Sequence, residues 1–305
     1  MRQENIMKNR SKVRHGLVDN LFHTLNMLIM VIVILITLIP FLNVASKAVS
    51  GGGAVSAGLV SIFPVDFQRE TVKYIMRDSQ FQRAMENTVF ITALGTAGGM
   101  ILTILTAYPL SKEHLRGRKG FMYIYIFIML FSGGMVPSYI LYRSLHLVNT
   151  IWALVLSGMF SVFNMLVMKS FFEAIPTALE EAAKVDGASD WKVLTRVILP
   201  VAKPVLASVS MFYAVGYWNN YLSSVLYITK QELKPLQRYL FDLVTAVSSV
   251  DNSIGADVNI EIAMNLTGEN ARAAAILVGA FPILCVYPFL QKYFQSGMTI
   301  GAVKG

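Results

Sequence analysis

Leu25-Asn-Met-Leu-Ile-Met-Val-Ile-Val-Ile-Leu-Ile-Thr-Leu-Ile-Pro-Phe-Leu42 is an almost unbroken aliphatic run with no Asp, Glu, Lys or Arg in it. A bilayer hydrocarbon core about 30 Å thick needs roughly 20 apolar residues of helix. The run meets that length, and the same test picks out five further stretches: 88–110, 121–142, 151–172, 205–228 and 273–294. The sequence therefore predicts an all-α integral membrane protein of six spans. It divides into a basic tail (1–24), a first span (25–43), a long loop (44–87), a body holding the other five spans (88–296) and a short tail (297–305). Residue 25 onward is too evenly apolar for a signal peptide, and no convincing small-residue cleavage site follows it, so the first run is expected to stay as an anchor.

Composition agrees. Of 305 residues 55% are hydrophobic and 14% charged, against about 25% charged in soluble domains. There is too little polar surface to cover a water-soluble body of this size. The one cysteine, Cys285, lies in an apolar run and can form neither an intrachain disulfide nor a metal site. His15, His23, His114 and His146 are scattered without ligand spacing. The spans hold few ionisable groups, which disfavours a carrier driven by protons or ions.

The net charge of +8 is distributed unevenly. With the N-terminus inside, segments 1–24, 111–120, 169–204 and the C-terminus carry 16 of the 26 Lys and Arg and 8 of the 18 Asp and Glu, leaving 10 of each on the other side. Short loops rich in Lys and Arg stay in the cytoplasm, so both termini are expected there. Nucleic-acid binding by the basic tail is disfavoured, since a span follows it directly. The loop after the first span opens with Ser50-Gly-Gly-Gly53 and is expected to be flexible there.

The segment between the fourth and fifth spans is Ile175-Pro-Thr-Ala-Leu-Glu-Glu-Ala-Ala-Lys-Val-Asp-Gly-Ala-Ser-Asp-Trp-Lys-Val-Leu-Thr-Arg-Val-Ile-Leu-Pro200. Thr177 and Glu180 have capping-box spacing after Pro176. A short helix 178–185 should end at a left-handed Gly187. Ser189 can cap a second helix, 190–199, with Trp191, Leu194 and Ile198 on one face and Pro200 as its stop. Ala182 and Ala183 give the first helix a thin face, ringed by Glu180, Glu181, Lys184 and Asp186. Local physics alone leaves an ordinary interfacial loop and a docking element equally open.

Glu181-Ala182-Ala183, Asp186-Gly187 and Ile198-x-Pro200 together resemble the EAA motif of binding-protein-dependent ABC importer permeases. Gly133-Gly134-x-x-Pro137, Thr150-Ile-Trp152, Phe171-Phe172-x-x-Ile-Pro176, Tyr217-Trp218-Asn219 and Gly297-x-x-x-Gly301-x-x-Lys304-Gly305 resemble its carbohydrate-uptake branch. The nearest likeness is to the second permease of maltose-type systems and to permeases for oligosaccharides and polysaccharide fragments. It runs from about residue 70 to the end. The resemblance implies a five-helix permease core plus an extra N-terminal helix, with the EAA loop docking on a cytoplasmic ATPase. Glu180, Glu181, Ala182, Ala183, Asp186, Gly187 and Pro200 would be its coupling residues. It further implies a second, related permease as heterodimer partner, two ATPase subunits and an extracytoplasmic sugar-binding protein.

No Gly-x-x-x-x-Gly-Lys-Ser/Thr phosphate loop occurs, so ATP and Mg²⁺ would be bound by the partner ATPases and by no site in this chain. No catalytic constellation is recognisable either. A sugar path needs amides, hydroxyls and aromatic plates. Tyr213, Tyr217, Trp218, Asn219 and Asn220 in the fifth span are the first candidates, with an interfacial aromatic belt as the alternative. Phe163 and Asn164 in the fourth span are equally suited to lining and to helix packing. Gly133, Gly134 and Pro137 suit a hinge or a fixed kink. Import of peptides or amino acids, or a membrane scaffold that only recruits a partner, are the rival readings.

Overall fold

A computed structural model describes residues 17–250 and 268–302 of the chain. These form helices and connecting turns, with no strand among them beyond one isolated bridge between Ser50 and Phe67. Helix α1, Leu17–Ala48, stands largely apart, and its side chains from 21 to 42 are almost all exposed. Its far end packs through Val44 and Ala48, and Lys47 reaches Glu269 at 3.1 Å. A helix apolar on every side is the pattern of a membrane span. Short helices α2 (Gly52–Ser56) and α3 (Glu70–Arg77) follow. The expected glycine-rich flexible stretch is thus partly an ordered helical turn.

The organising element is α4, Ser79–Ser111, capped by the Asp78 carboxylate on the Gln80 amide at 3.0 Å. Its buried stripe is mostly small: Ala84, Thr88, Ile91, Gly95, Gly99, Thr103 and Ala107 recur at spacings of three and four, so they share one face. Small side chains let neighbouring helices approach closely.

Three apolar runs that the sequence presents as continuous are broken. Residues 121–142 split into α5 (Arg118–Leu130) and α6 (Met135–Ser144), bent by 108° at a break that ends on Gly134, whose φ is +83°. Residues 151–172 split into α7 (Ile151–Ser157) and α8 (Val162–Ala174), bent by 47°. The fifth run is entered after an 84° bend at Ala202. Its helix α12, Lys203–Trp218, stops ten residues before the expected end, and α13, Leu222–Tyr227, is separate. Two helices are by themselves long and apolar enough to cross a membrane, Leu21–Ala48 and Ser79–Ser111, and counting each bent pair as one span gives up to five among the described residues.

The intervening helices are α9 (Thr177–Val185), α10 (Asp190–Val193) and α11 (Leu199–Val201), the last two joined by a π-helical turn Leu194–Ile198. Helix α14, Leu236–Val250, lies along the first half of α4. The Tyr239 hydroxyl donates to Asp78 at 2.6 Å, and the Leu236 amide donates to the Thr88 hydroxyl at 2.7 Å. Helix α15, Gly268–Ala302, packs against α1, α3, α12 and α14. Two buried cores result. The larger joins α4, α7, α8 and α12; the smaller joins the ends of α1, α3, α14 and α15.

At the centre of the larger core, two tyrosines of α12 fill hollows made by two glycines of α4. A Cβ on Gly95 would lie 2.3 Å from the Tyr217 ring, and one on Gly99 would lie 2.8 Å from the Tyr213 ring. Both glycines are therefore required by close approach. Gly95→Ala should destabilise the chain by about 1–3 kcal/mol, the usual cost of overpacking. Gly216 has open space at its Cβ position, so Gly216→Ala should be neutral or stabilising by up to about 1 kcal/mol from helix propensity. Thermal unfolding in detergent reads both; equal midpoints for the two variants would contradict the interlock.

Candidate functional site

Helices α9 and α10 form a knob beyond the C-terminal end of α4. Gly187 adopts φ +78°. The Ala188 amide donates to the Ala183 carbonyl and the Gly187 amide to the Lys184 carbonyl, both at 3.0 Å. This double closure through a left-handed glycine is a Schellman turn. Lys184 and Asp190 pair across it at 3.0 Å. The shared hydrogen bond holds Asp190 below the usual carboxylate range and Lys184 above the usual amine range. The pair thus stays ionised at neutral pH and is lost as acid protonates Asp190 or as strong base deprotonates Lys184. Both groups are solvent-exposed, so salt screens the attraction.

Other features of the loop differ from the sequence expectation. Pro176, and not Thr177, caps α9, and neither Thr177 nor Ser189 makes a side-chain cap bond. Glu180 does not turn back to complete a capping box. It reaches sideways to Lys112 at the end of α4, in an ion pair whose side chains are 18% and 14% exposed. The Lys112 ammonium also sits 4.3 Å from the centre of the Tyr108 ring, a cation–π contact. Nearby, Arg118 bridges to Glu173 and so ties α5 to α8, while Lys169 meets the same carboxylate at 2.7 Å from within α8. Pro200 does not stop the second helix; the helical path continues through it to Val201 and bends at Ala202.

The coupling candidates therefore divide by the way they face. Glu181, Ala182, Asp186, Gly187 and Pro200 are exposed, whereas Glu180 and Ala183 turn toward the body. Sequence reasoning missed Val185, which is 87% exposed at the tip of the knob. Ala178, Ala182 and Val185 fall at helical spacing, so the outward stripe is small and apolar. That period was the available signal. Between the knob and α4 lies a cleft of about 300 Å³ whose lining includes Tyr108, Lys112, His114, Glu180 and Trp191.

The path candidates also divide. Tyr213 and Tyr217 are buried and hydrogen-bonded within the chain, a correction to their expected lining role. The Tyr217 hydroxyl donates to the Val155 carbonyl at 2.6 Å; the Tyr213 hydroxyl accepts from the Ser161 amide at 3.0 Å and meets the Thr103 hydroxyl at 2.8 Å. Their exposure was misjudged because side-chain type cannot reveal glycine hollows on a helix distant in sequence. The Asn220 carboxamide oxygen accepts from the Ser223 amide in the first turn of α13 at 3.2 Å. Asn164 is buried on α8, while its neighbour Phe163 is exposed and lies 6.1 Å from the Phe212 ring. Gly133, Gly134 and Pro137 stand at the break and first turn of α6.

Trp218 and Asn219 remain accessible. They line a cleft of about 400 Å³ with Tyr221, Gln237, Phe241 and Ile276. Gln237 approaches the Asn219 carboxamide oxygen at 3.5 Å, and the Tyr221 and Phe241 rings are 4.7 Å apart. Amides beside aromatic plates suit a polyhydroxylated ligand. The α14 contribution was invisible in the sequence, where residues 229–272 show no clear period.

A multi-pass helical body, a protruding glycine-turn knob and, at the opposite end of α12, a largely apolar cleft that carries two amides define a membrane permease. The chain belongs to the binding-protein-dependent transport system inner membrane components, matching that family over residues 99–300. It is 40% identical over 270 residues to Protein LplC of Bacillus subtilis (strain 168), covering 88% of this chain and 90% of that one. It is 35% identical over 271 residues to the polygalacturonan/rhamnogalacturonan transport system permease protein YtcP of the same organism, covering 89% and 94%. In structure it resembles a chain of a bacterial ABC transporter that imports the acidic polysaccharide alginate, with a TM-score of 0.84, 32% identity and coverage of 92% and 98%. Members of the family are non-catalytic permease subunits.

The Lys112–Glu180 pair gives a prediction of its own. Lys112→Glu or Glu180→Lys leaves two like charges in a half-buried site, and each should lower the unfolding midpoint and weaken transport. The double exchange Lys112→Glu/Glu180→Lys restores attraction and should recover most of both. Breaking a buried pair costs about 3–5 kcal/mol, and partial exposure here places the single variants below that figure. Additive damage in the double variant would show that the two side chains act separately.

Proposed function

We propose that the chain is one of two related permease halves of an ATP-driven carbohydrate importer, with fragments of acidic or neutral polysaccharides as its substrate class. The single observation that carries the reading is the knob: a Schellman-closed helix pair fastened to α4 by Lys112–Glu180, showing outward a small apolar stripe of Ala178, Ala182 and Val185 with Glu181 beside it. This is a shape for entering a groove on another protein. The substrate class is supported by the relatives, whose names specify polygalacturonan or rhamnogalacturonan transport and alginate import, and by the amide-and-aromatic cleft at Trp218.

In this reading the chain crosses the membrane six times, through α1, α4, α5–α6, α7–α8, α12–α13 and α15, with both termini in the cytoplasm. The one-sided excess of Lys and Arg supports that orientation. A separate pair of ATPase subunits binds ATP and Mg²⁺, and one of them receives the knob. A sugar-binding protein delivers substrate at the other face. Closure of the ATPases pushes the knob, the paired permeases open outward, and hydrolysis resets them. The path residues are Trp218 and Asn219 with Gln237 and Phe241, and Phe163 marks a second aromatic surface. The α5–α6 break at Gly133, Gly134 and Pro137 is the hinge candidate.

The test is purification with co-expressed partners, reconstitution into liposomes and a sugar screen read by ATPase stimulation. Stimulation by oligosaccharides carried by the cognate binding protein, and by neither peptides nor amino acids, is expected. Gly187→Val strains a left-handed position by at least about 1 kcal/mol without touching a span. It should reach the membrane yet recover little ATPase on pull-down. Val185→Asp, which alters only the outward tip, should do the same with an unchanged unfolding midpoint. Normal ATPase recovery and sugar-stimulated turnover in both variants would remove the knob from the coupling role. Trp218→Ala and Asn219→Ala should leave ATPase recovery intact and lower sugar-stimulated turnover; normal turnover in both would exclude the cleft.

A further inference from the structure

No charged residue lines the cleft at Trp218, yet an unbalanced cluster of charge stands at its rim. Asp242 of α14 meets two cations at once. Lys234 Nζ lies 2.6 Å from one carboxylate oxygen, and Arg238 Nε lies 2.9 Å from the other. Among the described residues neither cation pairs with a second carboxylate. Two cations against one anion leave one positive charge uncompensated. The site is half-buried, with Lys234 12%, Arg238 20% and Asp242 32% exposed. A charge held away from water is costly unless an opposite charge meets it, so the cluster is suited to one more anion.

Helix α14 joins this cluster to the cleft. Gln237 and Phe241 line the cleft. Arg238 stands three residues before Phe241, which places the two side by side on the helix surface. The guanidinium carbon is 6.0 Å from the centre of the Phe241 ring, a cation–π contact. The same ring stands 4.7 Å from that of Tyr221, which also lines the cleft. Phe241 therefore touches both the aromatic wall and the cation. Of the two cations, Lys234 is the less exposed and makes the shorter bond to Asp242. Its backbone is held as well, since its carbonyl accepts from the Asn87 carboxamide at 3.3 Å. Lys234 thus serves Asp242, and Arg238 is the cation within reach of a ligand.

We propose that Arg238 receives the carboxylate of an acidic sugar unit seated in the cleft, and so biases the path toward uronic-acid oligosaccharides over neutral ones of the same length. A pyranose ring stacks on an aromatic plate through its C–H face. The carboxylate of a uronic acid projects from the ring edge, which is where a rim cation meets it. A planar guanidinium matches a carboxylate with two parallel hydrogen bonds. Asp242 keeps Lys234, so drawing Arg238 toward the ligand leaves no orphaned carboxylate. The inference rests on the proposed reading of the cleft as part of the sugar path.

The experiment uses the full chain purified with its co-expressed partners in detergent, without the binding protein. Equilibrium dialysis measures two tritiated probes, a short uronic-acid oligosaccharide and its methyl ester. The acid should bind more tightly than the ester, and added salt should weaken the acid alone by screening; this comparison needs no variant. Arg238→Gln should raise the Kd of the acid by roughly tenfold or more, the loss of a hydrogen bond between charged groups, and leave that of the ester unchanged. Arg238→Lys should keep most of the preference. Equal binding of acid and ester by the wild-type chain, or equal weakening of both by Arg238→Gln, overturns the proposal. Loss of the preference when phosphatidylglycerol is added also overturns it, and assigns the charge to a lipid phosphate. Trp218→Ala should weaken both probes, which tests the cleft separately from Arg238. Binding of both that Trp218→Ala leaves unchanged, or binding of neither by the wild-type chain, removes the cleft from the path and the proposal with it.

Discussion

The structure depends on how the backbone groups freed at a broken helix are satisfied away from water. In a membrane each such group needs a partner within the protein. The α7–α8 break frees the Val155 carbonyl and the Ser161 amide, and the Tyr217 and Tyr213 hydroxyls take them. Those hydroxyls arrive only because Gly95 and Gly99 leave room for the rings. Two glycines, two tyrosines and one helix break are therefore a single unit. Without the glycines α12 is pushed away from α4, and the break between α7 and α8 loses its hydrogen bonds.

The same pair of helices carries the knob at its other end. Helix α12 leaves the knob through the bend at Ala202, and α4 reaches it through Lys112 and Glu180. The loop is thus fastened at two points to one interlocked pair, which gives a push on it a rigid path into the body. The division between adjacent glutamates follows from helical geometry. They are 100° apart around α9, so one faces Lys112 while the other faces outward. Ala183 is small because α9 lies against the body there, whereas Ala182 is small on the outward side.

The membrane class, the apolar runs and the left-handed turn at Gly187 were legible in the sequence because each rests on a local signal: run length, residue type, or a lone glycine between two short helices. The helix break at Gly134 was legible in part, because Gly133, Gly134 and Pro137 mark a weak point in the helix ladder. The break at Gly158–Ser161 was not: the groups it frees are satisfied by Tyr213 and Tyr217, more than 50 positions away. The capping box at Thr177 and Glu180 was a sound local expectation that a long-range partner overrode. A carboxylate offered either a backbone amide in water or an ammonium in a half-buried site takes the ammonium, since charge-assisted bonds there are the stronger. Tyr213 and Tyr217 were misplaced for a similar reason: their period of four correctly put them on one face, but only tertiary packing shows that the face meets α4.

Helices α4 and α12 run antiparallel, with Gly95 opposite Tyr217 and Gly99 opposite Tyr213. The interlock is not midway along α12. Tyr217 directly precedes Trp218 at the cleft, whereas Lys203, at the knob end, is fourteen residues earlier, about 21 Å along a helix. In the proposed cycle α12 would act as a lever with unequal arms. A displacement of several ångströms at the knob turns into a small rotation at Trp218 and Asn219, about a contact too tightly packed to slide. Such an arrangement suits a cleft that must grip and release hydroxyls through hydrogen bonds, since these weaken steeply once donor and acceptor separate beyond about 3.2 Å or lose alignment. A small rotation is enough to change occupancy there, and the large excursion is confined to the end where a partner protein would supply the work.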